Sequence, residues 1–112
     1  MKIEKILIKF KKQIQQLYGD RLKKVILYGS YARNEETVES DVDLAIILEG
    51  DISPFKEIDN MSEIAYEFVL NYNILISIHP ISEERYFLTR TPFLMNIREE
   101  GISIWVKLML DY

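Results

Sequence analysis

Four residues of this sequence have the types and spacing for chemistry on a phosphate: Gly29 and Ser30, then, after ten intervening residues, Asp41 and Asp43. Glycine has no side chain, so another group can approach its backbone closely. Ser30 adds a hydroxyl and, if a helical turn starts there, unpaired N–H donors on the residues that follow, which together make a seat for an anion. Arg33 lies three residues after Ser30. On a helical turn that spacing brings the guanidinium to the side of the hydroxyl, where it can pair with a phosphate or brace a carboxylate. Asp41 and Asp43 stand two apart at the head of an apolar run, so in a strand both carboxylates leave the same face. At roughly 6 to 7 Å, two such charges repel by about 2.5 kcal/mol at an effective dielectric near 20. The run Leu44 to Leu48 predicts a central, covered strand with little water to screen them. A cation is the economical answer, and a hard ion held by one or two carboxylates and substrate phosphates fits Mg2+.

The elements that must position these residues follow from periodicity. Lys24 to Tyr28 reads as a short buried strand that Gly29 and Ser30 end, where a short helix containing Ala32 and Arg33 can begin. Residues 42 to 48 are the next strand. The polar loop 34–40 between them either closes over a nucleotide or is plain surface, with Glu35, Glu36 and Glu39 most simply solvated. Ile3, Ile6, Leu7, Phe10, Ile14 and Leu17 recur at helical spacing and predict an amphipathic helix over 2–18 that Gly19 ends. Ser53 and Pro54 start a helix over 54–70, with Phe55, Ile58, Met61, Ala65, Phe68 and Tyr72 inward and Glu57, Asp59, Glu63 and Glu67 outward. Residues 74–79 predict a third strand halted by Pro80, in which Leu75, Ser77 and His79 share a face. His79 is either a base or metal ligand or a structural side chain. Ser82 starts a short helix, Thr91 and Pro92 cap another that runs to Gly101, and Ile102, Ile104 and Val106 alternate as a final edge strand. The expectation is an α/β (α+β) fold, a small mixed sheet of about four strands flanked by helices.

Composition sets the outer limits. A chain of 112 residues with 48% hydrophobic content is expected to be one domain, 1–112, with a core of its own. It has no cysteine, hence no disulfide framework and no thiolate nucleophile or metal ligand, which fits a reducing compartment. No stretch approaches the roughly 20 apolar residues of a membrane span, and the N-terminus does not read as a secretory signal, so a cytoplasmic location is expected. The net charge of −4 is unevenly spread: residues 1–24 carry eight Lys/Arg against two acids, and residues 35–67 carry eleven Asp/Glu against Lys56 alone. That acidic half argues against direct nucleic-acid binding. The basic half is either a solvated helix face or a docking surface.

Taken together, Gly29, Ser30, Ala32 and Arg33 followed by Ser40, Asp41, Asp43 and Leu44 resemble the signature of the DNA polymerase β-like nucleotidyltransferase superfamily. The match is closer to its minimal nucleotidyltransferase (MNT) domains, which carry G-S-x-A-R and then S-D-x-D-L. The resemblance implies the polymerase β-like fold, a nucleoside triphosphate with its phosphates on Gly29, Ser30, Arg33 and Ser40, and Mg2+ on Asp41 and Asp43, with Ser30 joining the two carboxylates in catalysis. It also implies a third carboxylate on the third strand, where this sequence has none. Ser77 stands near the expected position, and Glu49 cannot substitute because six residues of strand put it roughly 20 Å beyond Asp43. The C-terminal half is similar to MNT-like proteins that lack this group.

MNT domains are typically antitoxins paired with a small helical HEPN-class toxin, and the resemblance implies transfer of AMP from ATP to a tyrosine of such a partner. The chain's length leaves little room for its own acceptor-recognition module, which also suggests a protein partner. The alternative is a module of the same fold that has lost turnover and neutralises its partner by occlusion.

Overall fold

A computed structural model of the chain describes residues 2–104. The predicted N-terminal helix is α1 (Lys2–Tyr18), which a short 3-10 helix (Gly19–Arg21) follows. Ile3, Leu7, Phe10 and Ile14 are its buried stripe, whereas Leu17 is exposed. Strand β1 (Leu22–Tyr28) then pairs antiparallel with β2 (Val42–Leu48), with Tyr28 opposite Asp43 where the connecting loop enters. A long helix, α2 (Pro54–Tyr72), carries the chain back so that β3 (Ile76–Ser82) runs parallel to β2. Helices α3 (Glu83–Leu88) and α4 (Pro92–Glu100) precede β4 (Ile102–Ser103), which pairs antiparallel with the free side of β1. The sheet order is β3-β2-β1-β4, a four-stranded mixed sheet as predicted. Val106, placed in the last strand on sequence grounds, lies outside the described residues.

Helices cover both faces of the sheet. Val25, Leu27, Leu44, Ile46 and Leu48 form one core with the stripe of α1 and with Met61 and Phe68 of α2. Ile26, Tyr28, Ala45 and Ile47 form a second with Tyr86 of α3 and Leu94 and Ile97 of α4. β2 is therefore central and doubly covered. Its residues from Leu44 to Leu48 are fully buried, each large apolar side chain contributing roughly 1.5–3 kcal/mol. Among the described residues no helix is long and apolar enough to cross a membrane.

The third strand departs from expectation. It begins two residues later than predicted and continues through Pro80, which pairs with Ile46. β3 is an edge strand, so one of its sides has no ladder to supply, and a residue without an N–H is tolerated there. The α2 stripe is also rotated from the expected one. Phe55 and Ile58 are exposed, and Glu57, expected in water, is buried and accepts a 2.7 Å hydrogen bond from the Tyr18 hydroxyl. Burial and the Glu57 carboxylate push the Tyr18 phenol up to about 12. Asn73 closes α2 in a left-handed conformation, its N–H bonded to the Val69 carbonyl.

Candidate active site

The site begins where β1 ends. Gly29 has φ +76°, a conformation that L side chains rarely adopt, and a Cβ there would run into the Asp43 carboxylate. Backbone conformation thus demands glycine, and any side chain there would also force the end of the Asp43 side chain to move. A short helix is expected next, and the structure forms only a single turn. Its carbonyls are closed by Arg33 N–H to Gly29 O (3.1 Å), Asn34 N–H to Tyr31 O (3.3 Å) and Glu35 N–H to Ser30 O (2.8 Å), with Asn34 left-handed at φ 59°. The last two bonds form the Schellman pattern that stops a helix, so the polar loop ends the turn as soon as it has formed. The backbone N–H groups of Ser30, Tyr31 and Ala32 and the Ser30 hydroxyl find no partner among the described residues. These donors, gathered on one short turn beside Gly29, have the character of an anion seat.

Of the two roles expected for Arg33, pairing with a phosphate or bracing a carboxylate, the structure shows it bracing carboxylates. Its Nε bonds Glu35 at 2.9 Å and its Nη1 bonds Glu100 at 3.0 Å, which ties the turn to the end of α4. The Ser40 hydroxyl accepts the Thr37 N–H at 2.9 Å while the Ser40 N–H bonds the Thr37 carbonyl at 3.0 Å, so Ser40 closes the loop into β2. Of the loop acids read as solvated, Glu35 is in an ion pair, and one oxygen of Glu36 is shielded from solvent with no hydrogen-bond partner among the described residues.

Asp41 is exposed immediately before β2, and Asp43 is partly buried as its second residue. Burial raises the Asp43 carboxyl above its ordinary value, and the charge of Asp41 adds to the rise, while His79 and Arg33 pull it back. Directly paired residues of a sheet share a face. Tyr28, Asp43 and Ser77 therefore form one row across β1, β2 and β3. Ser77 is the immediate neighbour of Asp43, and its register with Asp43 is direct. His79 follows two residues along on the same face, opposite Ala45. Its Nδ1 shares a hydrogen bond with the Tyr28 hydroxyl. The Tyr28, His79 and Phe93 ring centroids lie 5.6 Å apart in each pair. Burial and the Asp43 charge push the Tyr28 phenol upward, so it stays protonated. From the sequence Tyr28 is only a strand end. Counting the β1–β2 register back from the loop would have found it opposite Asp43.

A family model described as a nucleotidyltransferase domain matches residues 7–104. The chain belongs to this nucleotidyltransferase family. Two relatives from Methanocaldococcus jannaschii, named provisionally as protein adenylyltransferases, support the same placement. One is 36% identical over 104 residues, 93% of this chain and 100% of the relative, and the other is 34% identical over 102 residues, 90% and 96% of the two chains. Solved structures agree on the fold. A chain of a toxin–antitoxin crystal structure with AMP-PNP superposes with a TM-score of 0.61 at 14% identity, covering 93% of this chain and 77% of that one. A protein from Sulfolobus solfataricus, provisionally called a nucleotidyltransferase, gives 0.55 at 17% identity, with 91% and 82% covered. This nucleotidyltransferase thus keeps its Gly-Ser turn and its Asp-x-Asp strand in direct apposition, with serine as the β3 neighbour of Asp43. Among its described residues no group of three His, Cys, Asp or Glu side chains could hold a metal ion.

Proposed function

We propose that this nucleotidyltransferase is a Mg2+-dependent protein adenylyltransferase of the cytoplasm, transferring AMP from ATP to a hydroxyl of a partner protein, as an antitoxin of the MNT type would on a HEPN toxin. The observation that carries the reading is the closeness of Gly29 to the Asp43 carboxylate, because it sets one of the two candidate metal ligands beside the candidate anion seat. The two carboxylates fit one hard cation, with its other ligands from water and phosphate, and their mutual repulsion is what such an ion relieves. When bound, Mg2+ neutralises phosphate charge and aligns the leaving group.

The chain's own residues do the rest. Ser30 and the N–H groups after Gly29 would hold the phosphates, Asp41 and Asp43 would hold the ion, and Arg33 fixes the turn to α4. Ser40 closes the loop that presents Asp41 to the nucleotide. The acceptor oxygen bonds to the α-phosphorus, the bond to pyrophosphate breaks, and the acceptor's proton leaves to a base. Ser77 occupies the place beside Asp43 from which a third carboxylate would take that proton. Toxin–antitoxin pairs among the structural neighbours support a partner protein as acceptor, and the relatives' provisional names support AMP as the transferred group.

The test is direct. The protein is incubated with Mg2+, ATP labelled at the α-phosphate and the product of the adjacent gene, and a labelled partner is the expected result, lost on addition of chelator. Serine in place of a carboxylate beside Asp43 favours a second reading, in which the module binds and occludes its partner without turnover. Inhibition of the partner with no label transferred under any condition would establish that reading.

A further inference from the structure

One side of α2 leaves the core with a largely apolar surface, in which Ser62 is the polar exception. Ile58, Ala65, Tyr66 and Val69 line a groove of about 260 Å³ against Leu75 and Ile78 at the edge of the sheet. Among the described residues no strand covers the outer side of β3, and Tyr66 and Leu75 remain 61% and 57% exposed. Exposed Phe55 and Leu70 extend the same apolar strip along the helix. A contiguous strip of this kind marks an interaction surface more often than chance exposure. From Ile58 to Val69 it runs about 16 Å, or three helical turns.

Two further observations say what fits it. Asp59, Glu63 and Glu67, four residues apart, form a ridge on the solvent side of the groove, all exposed and none in an ion pair among the described residues. Within α2, Lys56 is the one cation. One end of the groove lies next to the start of β2, for the Leu75 carbonyl accepts the N–H of Val42 at 2.9 Å, and Val42 lies between Asp41 and Asp43, whose carboxylates leave the opposite face of the sheet.

We propose that this groove docks an amphipathic helix of a partner protein, its apolar stripe in the groove, its basic flank along Asp59, Glu63 and Glu67, and one end beside the start of β2. A second copy of this chain fits poorly. A twofold pairing through this face would set the two acidic ridges together. The chain's own basic amphipathic helix, α1, has already spent its apolar stripe on the core. The delivery of an acceptor hydroxyl to Asp41 and Asp43 rests on the adenylyltransferase reading, whereas docking does not.

The experiment is an NMR titration of the full chain, without nucleotide, with a designed helical peptide of about 14 residues bearing leucines at helical spacing and lysines on one flank. A control peptide carries glutamates in place of the lysines. Expected are shifts at Ile58, Tyr66, Val69 and Leu75, with the amides of Asp41 and Val42 shifting at the groove's end. The lysine peptide should bind at least about tenfold tighter, and the double variant Glu63→Lys/Glu67→Lys should reverse the preference. Equal binding of both peptides, shifts centred elsewhere or no binding would overturn the proposal. So would a dimer held through these residues in sedimentation, or perturbation of the groove on removing residues 105–112. Since binding is read without ATP, a protein that binds the peptide but labels no partner loses only the transferase reading, and one that labels its partner while ignoring the peptide loses only the docking site.

Discussion

At the scale of single residues, Asp43 joins electrostatics to function. Its carboxyl is raised in the folded state, chiefly by burial and then by Asp41. The stability linked to its neutral form is therefore fully present below its ordinary value of 3.8 and is lost as pH rises through the folded value. In chelator, Asp43→Asn should melt with the parent at low pH and above it near neutrality, while Asp41→Asn and Asp43→Asn should both lose Mg-ATP binding by calorimetry. A variant that melts below the parent at neutral pH would remove the assigned cost. Ser77→Asp places a carboxylate next to Asp43, and a positioned general base is worth about 10² to 10⁴ in rate. The expected result is at least a several-fold gain in labelled partner, with a lower melting temperature in chelator that Mg2+ restores. No gain and no Mg2+ dependence would show that Ser77 is not the vacated position. Gly29→Ala should cost at least about 1–2 kcal/mol for its left-handed backbone alone. Combining it with Asp43→Ala should recover the part due to collision and none of the rest, as thermal melts of the three variants would reveal.

At the scale of elements, α1 and α2 are joined by a polar contact that apolar periodicity concealed. Glu57 fell on the expected wet face because its neighbours obey a helical repeat. The actual rotation of α2 turns it under Tyr18, 39 positions earlier in the chain. Tyr18→Phe leaves that buried carboxylate without its donor and should lose about 1–3 kcal/mol in urea unfolding. The double variant Tyr18→Phe/Glu57→Leu should regain most of the loss, since replacing both partners removes the unsatisfied group. If the single variant unfolds with the parent, water already satisfies Glu57.

At the scale of the whole molecule, β4 forms the edge of the sheet beside β1. The turn after α4 seats Gly101 against the sheet just before β4 pairs with β1, and a Cβ there would meet the Ile97 carbonyl and the Ile26 side chain. Gly101 has an ordinary negative φ, so the constraint is space. Gly101→Ala should cost about 1–3 kcal/mol by overpacking, read from the urea midpoint, with hydrogen exchange rising first at Ile26 and Leu27. The elements around this core were legible in the sequence because their signals are local. Apolar repeats marked α1, β1, β2 and α2, Ser and Thr before acidic or proline residues marked the helix starts, and Gly29-Ser30 with Asp41 and Asp43 marked the site. What only the tertiary structure decided depends on residues far apart in the chain. The edge position of β3 admits Pro80, the three-strand row brings Tyr28 and Ser77 to Asp43, and Arg33 finds Glu100 67 positions away. Strand order and helix rotation follow from packing two helical layers on one sheet, a balance over many distant contacts that no short window of sequence contains.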